Sequence, residues 1–131
     1  MQFHDEKDKI LIIDFGSQVT KLIARRVREL GVYSEITTPK ELNKIKNYRS
    51  IKGLILSGGP STVTKKKFQS IPKIILDKNI PILGICYGLQ LIAKIFGGKI
   101  KPSNKRREFG RAYLFKRRSS LLIKKFIKSK T

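Results

Sequence analysis

Cys86 is the only cysteine of the chain, and it stands in "GICYG" (residues 84–88), between "IPIL" and "LQLIAKIFGG". The apolar run before it reads as a buried strand and the run after it as a helix. A thiol at such a junction is lifted above the sheet on a sharp turn. The backbone is crowded there, so small residues at i−2 and i+2 fit, as in nucleophile turns that carry serine. The first turn of the helix adds free N–H groups and the positive end of the dipole, both of which favour a thiolate. The N–H of Tyr87, directly after the sulfur, is placed to donate to the oxygen of a carbonyl under attack. A lone cysteine in an apolar run is most often an inert core residue. The flanking glycines and the strand-to-helix position favour a nucleophile instead.

A second stretch fits the same chemistry. "SGGPS" (Ser57 to Ser61) follows another apolar run, "GLIL", and should emerge at the same sheet edge. Paired glycines let main-chain N–H groups approach a ligand, so Gly58 and Gly59 could contact substrate and supply another oxyanion donor. Taken alone, the stretch would be a plain Gly-Gly-Pro turn.

The elements that must position these residues are legible in outline. "KILIID" (Lys9 to Asp14) reads as a strand buried on both faces of a parallel sheet. After the turn "FGS" comes a helical pattern with Val19, Leu22, Ile23, Val27 and Leu30 on one face, Ser17 as its cap and Gly31 as its stop. Val32–Ile36, Gly53–Leu56 and Ile80–Ile85 read as further strands, Ile71–Asn79 as a short helix and turn, and Tyr87–Phe96 as a helix apolar nearly all round. Strands alternating with helices predict an α/β fold with an open, mostly parallel, doubly wound sheet, whose ligands bind beyond the carboxyl ends of the strands. Past Gly98 the pattern predicts a strand and polar loop in "GKIKPSNKRR", a strand in "EFGRAYLF" and a weak amphipathic helix in "SSLLIKKFIKSKT".

A length of 131 residues suits one domain at most. The charged start "MQFHDEKDK" has no apolar leader, the longest apolar stretch is too short to span a membrane, and one cysteine allows no internal disulfide. A cytoplasmic protein is expected. The net charge of +21 invites a nucleic-acid reading. However, 13 of the 30 basic residues fall after Gly98, and no aromatic side chains are interleaved with the rest at a spacing that would stack bases. A lysine-rich solvated surface is the expected account, and nucleic acid is not the expected partner.

Together "GICYGLQ" and "ILSGGPS" resemble the nucleophile motif and oxyanion loop of the class I glutamine amidotransferases, a family with a flavodoxin-like sheet and a Cys-His-Glu triad. "IIDFGSQ", "SGGPSTV", Tyr87 and "REFGRA" (Arg107 to Ala112) resemble the branch of that family serving GMP synthesis. The resemblance implies that Cys86 attacks the side-chain amide of glutamine and forms a glutamyl thioester with release of ammonia. It further implies that Gly59 and Tyr87 hold the oxyanion and that Gly58 and Gln90 bind substrate. In the complete family member ammonia passes to an ATP-dependent synthetase domain, which uses Mg²⁺ and ATP to aminate XMP. No cofactor is expected in this chain, and the full-length member is expected to be a homodimer.

The departure from the family concerns the base. The single histidine, His4, precedes the first strand; its "HDE" has the His-x-Glu spacing but lies upstream of Cys86, whereas the family's motif lies well downstream of the cysteine, so no catalytic part is expected of it. Residues 1–131 therefore read as a partial amidotransferase domain, its sheet incomplete at the C-terminal end, without synthetase or dimerisation domains. Little or no glutaminase activity is expected from it alone. The alternatives are a non-catalytic remnant that binds glutamine or a partner, and a basic nucleic-acid-binding protein.

Overall fold

The structure, a computed structural model, describes residues 7–59 and 69–99. All of these belong to one unit, Met1–Lys101. His4, Pro60, Ser61, the "REFGRA" run and the expected elements past Gly98 lie outside the described residues, apart from Lys99.

The apolar runs form the strands β1 (Lys9–Ile13), β2 (Ser34–Thr37), β3 (Ile51–Leu56) and β4 (Ile82–Gly84). They make one parallel sheet in the order β2-β1-β3-β4. The helices are α1 (Thr20–Glu29), α2 (Pro39–Leu42), α3 (Lys73–Leu76) and α4 (Tyr87–Ile95). The α/β architecture with a parallel, open sheet is as the sequence predicts. Every strand-to-helix turn therefore emerges at one edge of the sheet.

Alternation along the strands divides the core. Leu11 and Ile13 of β1 and Leu54 and Leu56 of β3 pack in one cluster with Leu42 of α2, Ile75 of α3, and Tyr87 and Leu91 of α4. Ile12, fully buried but outside that cluster, belongs to the other face, as does Ala24 of α1. Lys9 is buried in β1, and its ammonium meets the Glu35 carboxylate of β2 at 3.1 Å.

The face that α1 buries overlaps the predicted one at Ile23 and Val27, which are half-buried, but centres on Thr20 and Ala24. Thr20 and Ala24 are buried, whereas Val19 and Leu22 are exposed and Leu30 is 82% exposed. Small residues at i and i+4 let the helix axis approach the sheet, and Ser34 Oγ donates to the Ala24 carbonyl at 3.1 Å across that contact. Counting large aliphatic residues alone misplaces the stripe. Ser17 is not the cap either: Val19 holds that position, and Ser17 Oγ accepts the Val19 N–H at 3.1 Å just before the helix.

Gly31 ends α1 as expected, with φ +82°. Its N–H bonds to the Arg28 carbonyl at 2.9 Å, and the N–H of Val32 bonds to the Val27 carbonyl at 3.3 Å. This paired closure keeps Val32 in the helix exit, so β2 begins two residues later than predicted. The unanticipated α2 has local causes: Thr38 Oγ1 accepts the Glu41 N–H at 3.1 Å, and Pro39 opens the helix. No helix among the described residues is long and apolar enough to cross a membrane.

Leu54→Ala, at the centre of the cluster, is expected to lower unfolding stability by about 2–5 kcal/mol without changing the fold. Chemical denaturation checks this, and a loss below about 1 kcal/mol would mean that the cluster is not the core.

Candidate active site

Cys86 sits at the N-cap of α4 with φ 55° and ψ −115°, an unusual conformation for a residue with a Cβ. Holding it costs about 1–3 kcal/mol, which the surroundings must offset. They do so through the backbone. The N–H of Ile85 bonds to the Leu56 carbonyl at 2.9 Å, and the N–H of Gly88 bonds to the carbonyls of Ile85 at 3.0 Å and Ser57 at 3.2 Å. The turn is thus fastened to β3 on both sides of the cysteine. The thiol itself is exposed.

Gly88 makes this fastening possible. A Cβ there would collide with the Leu56 backbone carbonyl and stand 2.6 Å from the Leu56 Cβ. Gly58 faces the nucleophile: a Cβ on it would stand 3.2 Å from Cys86 Cβ and 3.6 Å from Ser17 Oγ. Gly59 lies against the other loop, where a Cβ would approach the Phe15 carbonyl to 2.5 Å. The structure therefore brings Gly58 beside Cys86 and Gly59 beside the β1–α1 loop, at the edge where the sequence places them. Among the described residues no acceptor takes the N–H of Gly59 or of Tyr87.

Tyr87 has its side chain in the core, 3% exposed, tilted against Phe15 at 4.9 Å between ring centroids. Its hydroxyl donates to the Gln69 carbonyl at 2.6 Å. Burial holds the Tyr87 phenol above its ordinary value of 10.0. One turn further along α4, the Gln90 N–H bonds to the Cys86 carbonyl at 3.2 Å. The side-chain Oε1 of Gln90 is buried and finds no partner among the described residues.

A hydroxyl cluster beneath the loops escaped the sequence reading. Ser57, fully buried, donates through Oγ to the Ile13 carbonyl at 2.7 Å and lies 3.0 Å from Thr20 Oγ1. Thr20 Oγ1 is also 3.2 Å from Asp14 Oδ1, which accepts the Gly16 N–H at 2.8 Å. Two hydroxyl protons serve four contacts, the Gly58 carbonyl lying 3.4 Å from Ser57 Oγ, so Thr20 can donate to only one of Ser57 and Asp14 when Ser57 donates to Ile13. The available signal was positional: Asp14 and Ser57 each directly follow the last apolar residue of a strand, β1 and β3. A cavity of about 520 Å³ lined by Asp14, Phe15, Gly16, Thr38 and Gln69, among others, opens at this edge.

Known proteins resemble this chain. The family model for glutamine amidotransferase class-I matches residues 11–130. A protein of Ruthia magnifica subsp. Calyptogena magnifica named glutamine-hydrolysing GMP synthase is 52% identical over 116 residues, covering 88% of this chain and 22% of the relative. One of the same name from Staphylococcus carnosus is 43% identical over 124 residues, covering 94% of this chain and 24% of its own length. The chain thus spans 22% and 24% of these two relatives. A crystal structure from Thermoplasma acidophilum, described as that of a proposed GMP synthase subunit, aligns with a TM-score of 0.76 and 34% identity, over 95% of this chain and 62% of that one.

Gly88→Ala is expected to cost about 3 kcal/mol, because the obstacle is backbone and not a yielding side chain; a denaturation midpoint equal to that of the unaltered chain would refute the close approach. The phenol of Tyr87 ionises later in the folded than in the unfolded chain. Its contribution is full below pH 10.0 and is lost as pH rises through the higher folded value. Tyr33, whose hydroxyl donates to Glu35 Oε1 at 2.8 Å and is held up chiefly by that bond, behaves alike. Tyr87→Phe should therefore weaken, but not abolish, the alkaline fall of stability measured by denaturation at stepped pH. An unchanged alkaline slope would contradict the burial of its hydroxyl.

Proposed function

The chain belongs to the class-I glutamine amidotransferases, and from that premise we propose that Cys86 is the nucleophile of a glutaminase centre that releases ammonia for a synthetase. The observation that carries this reading is the cysteine held at φ 55° and ψ −115° at the head of α4, exposed and next to main-chain donors that no acceptor among the described residues takes. Backbone of this kind is retained where exposure of a side chain is needed.

In the proposed reaction the Cys86 thiolate attacks the carbonyl carbon of the glutamine carboxamide. The developing oxyanion takes hydrogen bonds from the N–H groups of Gly59 and Tyr87. Collapse breaks the C–N bond, and ammonia leaves with a proton from a general acid, giving a glutamyl thioester that water then hydrolyses. Gly58, lacking a side chain, leaves room for the substrate beside the sulfur. Gln90, whose buried Oε1 seeks a donor, would position the glutamine.

The base and acid must come from outside the described residues, and the one histidine in this sequence is His4. The family takes its triad histidine from downstream of the cysteine, and no histidine follows Cys86 in this sequence. The likeness to proteins named GMP synthase, and to one described as a component of such an enzyme, supports delivery of ammonia to a synthetase that aminates XMP. ATP and Mg²⁺ would bind to that synthetase, and no step in this chain runs through them.

An electrophilic glutamine analogue tests the reading. Labelling of Cys86, slowed by glutamine and abolished by Cys86→Ala, is expected by mass spectrometry. Turnover of glutamine by the same 131-residue chain should fall several orders of magnitude below that of a triad enzyme. Labelling that glutamine does not slow would dismiss the glutamine site.

A further inference from the structure

The opposite edge of the sheet carries a feature that the amidotransferase reading leaves unused. A cavity of about 680 Å³ opens where the chain enters β3 and β4. That volume falls within the usual range for small-molecule sites. Its lining includes Lys46, Arg49, Lys52 and Lys78, and no carboxylate among the described residues. By contrast, the neighbouring cavity between α3 and the end of α4 carries both Lys73 and Asp77.

The cations converge from separate segments: Lys46 and Arg49 from the loop before β3, Lys52 from β3, and Lys78 from the turn after α3. Lys52 has a loose neighbour in Asp8 at 3.9 Å, while Lys46, Arg49 and Lys78 have no acidic partner among the described residues. The scaffold under them is fixed. Asn47 Oδ1 accepts the Arg49 N–H at 3.0 Å, the Tyr48 carbonyl accepts the Ile51 N–H at 3.1 Å, and the Pro81 carbonyl accepts the Leu54 N–H at 2.9 Å. Tyr48 packs against the core, and the Lys78 ammonium lies 5.7 Å from the centroid of its ring.

Like charges gathered in a concave surface without counter-charges raise the local concentration of anions. Arg and Lys together suit phosphate oxygens, the one by a planar fork and the other as a point charge. Cations spread over several segments fit phosphates in series better than a single one. We propose that this cavity binds a small polyphosphate anion, of the kind carried by a nucleoside triphosphate, at the sheet edge away from Cys86. β3, six residues long, separates the two edges by roughly 20 Å. A ligand here would not compete with glutamine.

Isothermal titration of the full 131-residue chain with inorganic tripolyphosphate at low salt tests the proposal. Saturable binding is expected, weakened about tenfold or more in K46Q/R49Q/K78Q. The charge-matched control K21Q/K40Q/K94Q, altered on positions elsewhere, should bind within about twofold of the unaltered chain. Circular dichroism verifies that both variants fold, and the single variant K78E replaces the triple one if it does not. Cys86→Ala should bind like the unaltered chain, so this result is independent of the glutaminase reading. ATP binding at least as strongly as tripolyphosphate, with the same loss in the variant, supports a nucleotide as source. No saturable binding, or equal losses in the two triple variants, would overturn the proposal. So would preference for single-stranded RNA with equal losses in both, which would assign the charge to a diffuse nucleic-acid surface.

Discussion

Ser57 joins more of the candidate active site than any residue that could react. Its N–H and its hydroxyl both reach the Ile13 carbonyl, its own carbonyl accepts the Gly88 N–H, and its Oγ meets Thr20. One fully buried residue thereby ties the end of β1, the start of α1, the end of β3 and the head of α4. A buried polar group of this kind is costly when unpaired and specific when satisfied. The glycine loop that follows it, Gly58 and Gly59, inherits its position from these bonds.

The conformation of Cys86 makes sense on this footing. A positive φ on a residue with a Cβ persists only where the neighbouring backbone over-determines it. Ile85 is bonded to Leu56 on one side of the cysteine and Gly88 to Ser57 on the other. Neither bond could form if Gly88 carried a side chain, since the Leu56 carbonyl occupies that space. The second glycine of "GICYG" therefore serves the approach of two backbones. The first, Gly84, lies close to the Gly88 carbonyl, where a Cβ would stand at 2.7 Å.

Much of this was legible in the sequence because apolar runs and glycines report directly on burial and crowding. The four strands, their parallel pairing and the placement of Cys86 at a strand-to-helix turn follow from such signals. The buried stripe of α1 was not legible, because Thr20 and Ala24 are small and weakly hydrophobic and are buried for closeness and hydrogen bonding. Ser57, Thr20 and Asp14 look like ordinary loop and helix-start residues until the strand ends are brought side by side. The start of β2 shifted because the closure of α1 claims Val32. Short-range hydrogen bonds between chain-distant residues leave no period to read.

Parallel strand order explains why the charged cavity and the cysteine share a domain without sharing a surface. With β1, β3 and β4 all running the same way, each strand-to-helix turn falls at one edge and each helix-to-strand turn at the other. The first edge collects glycines, free N–H groups and the head of α4, which suit an oxyanion. The second collects the loops before β3 and β4, where Lys46 and Arg49 line one cavity with Lys78, which is distant in sequence. A surplus of 30 basic residues over 9 acidic ones sets the charge of the whole surface, but only topology concentrates it. The far ends of β3 and β4, Leu56 and Gly84, form the seat of the cysteine turn.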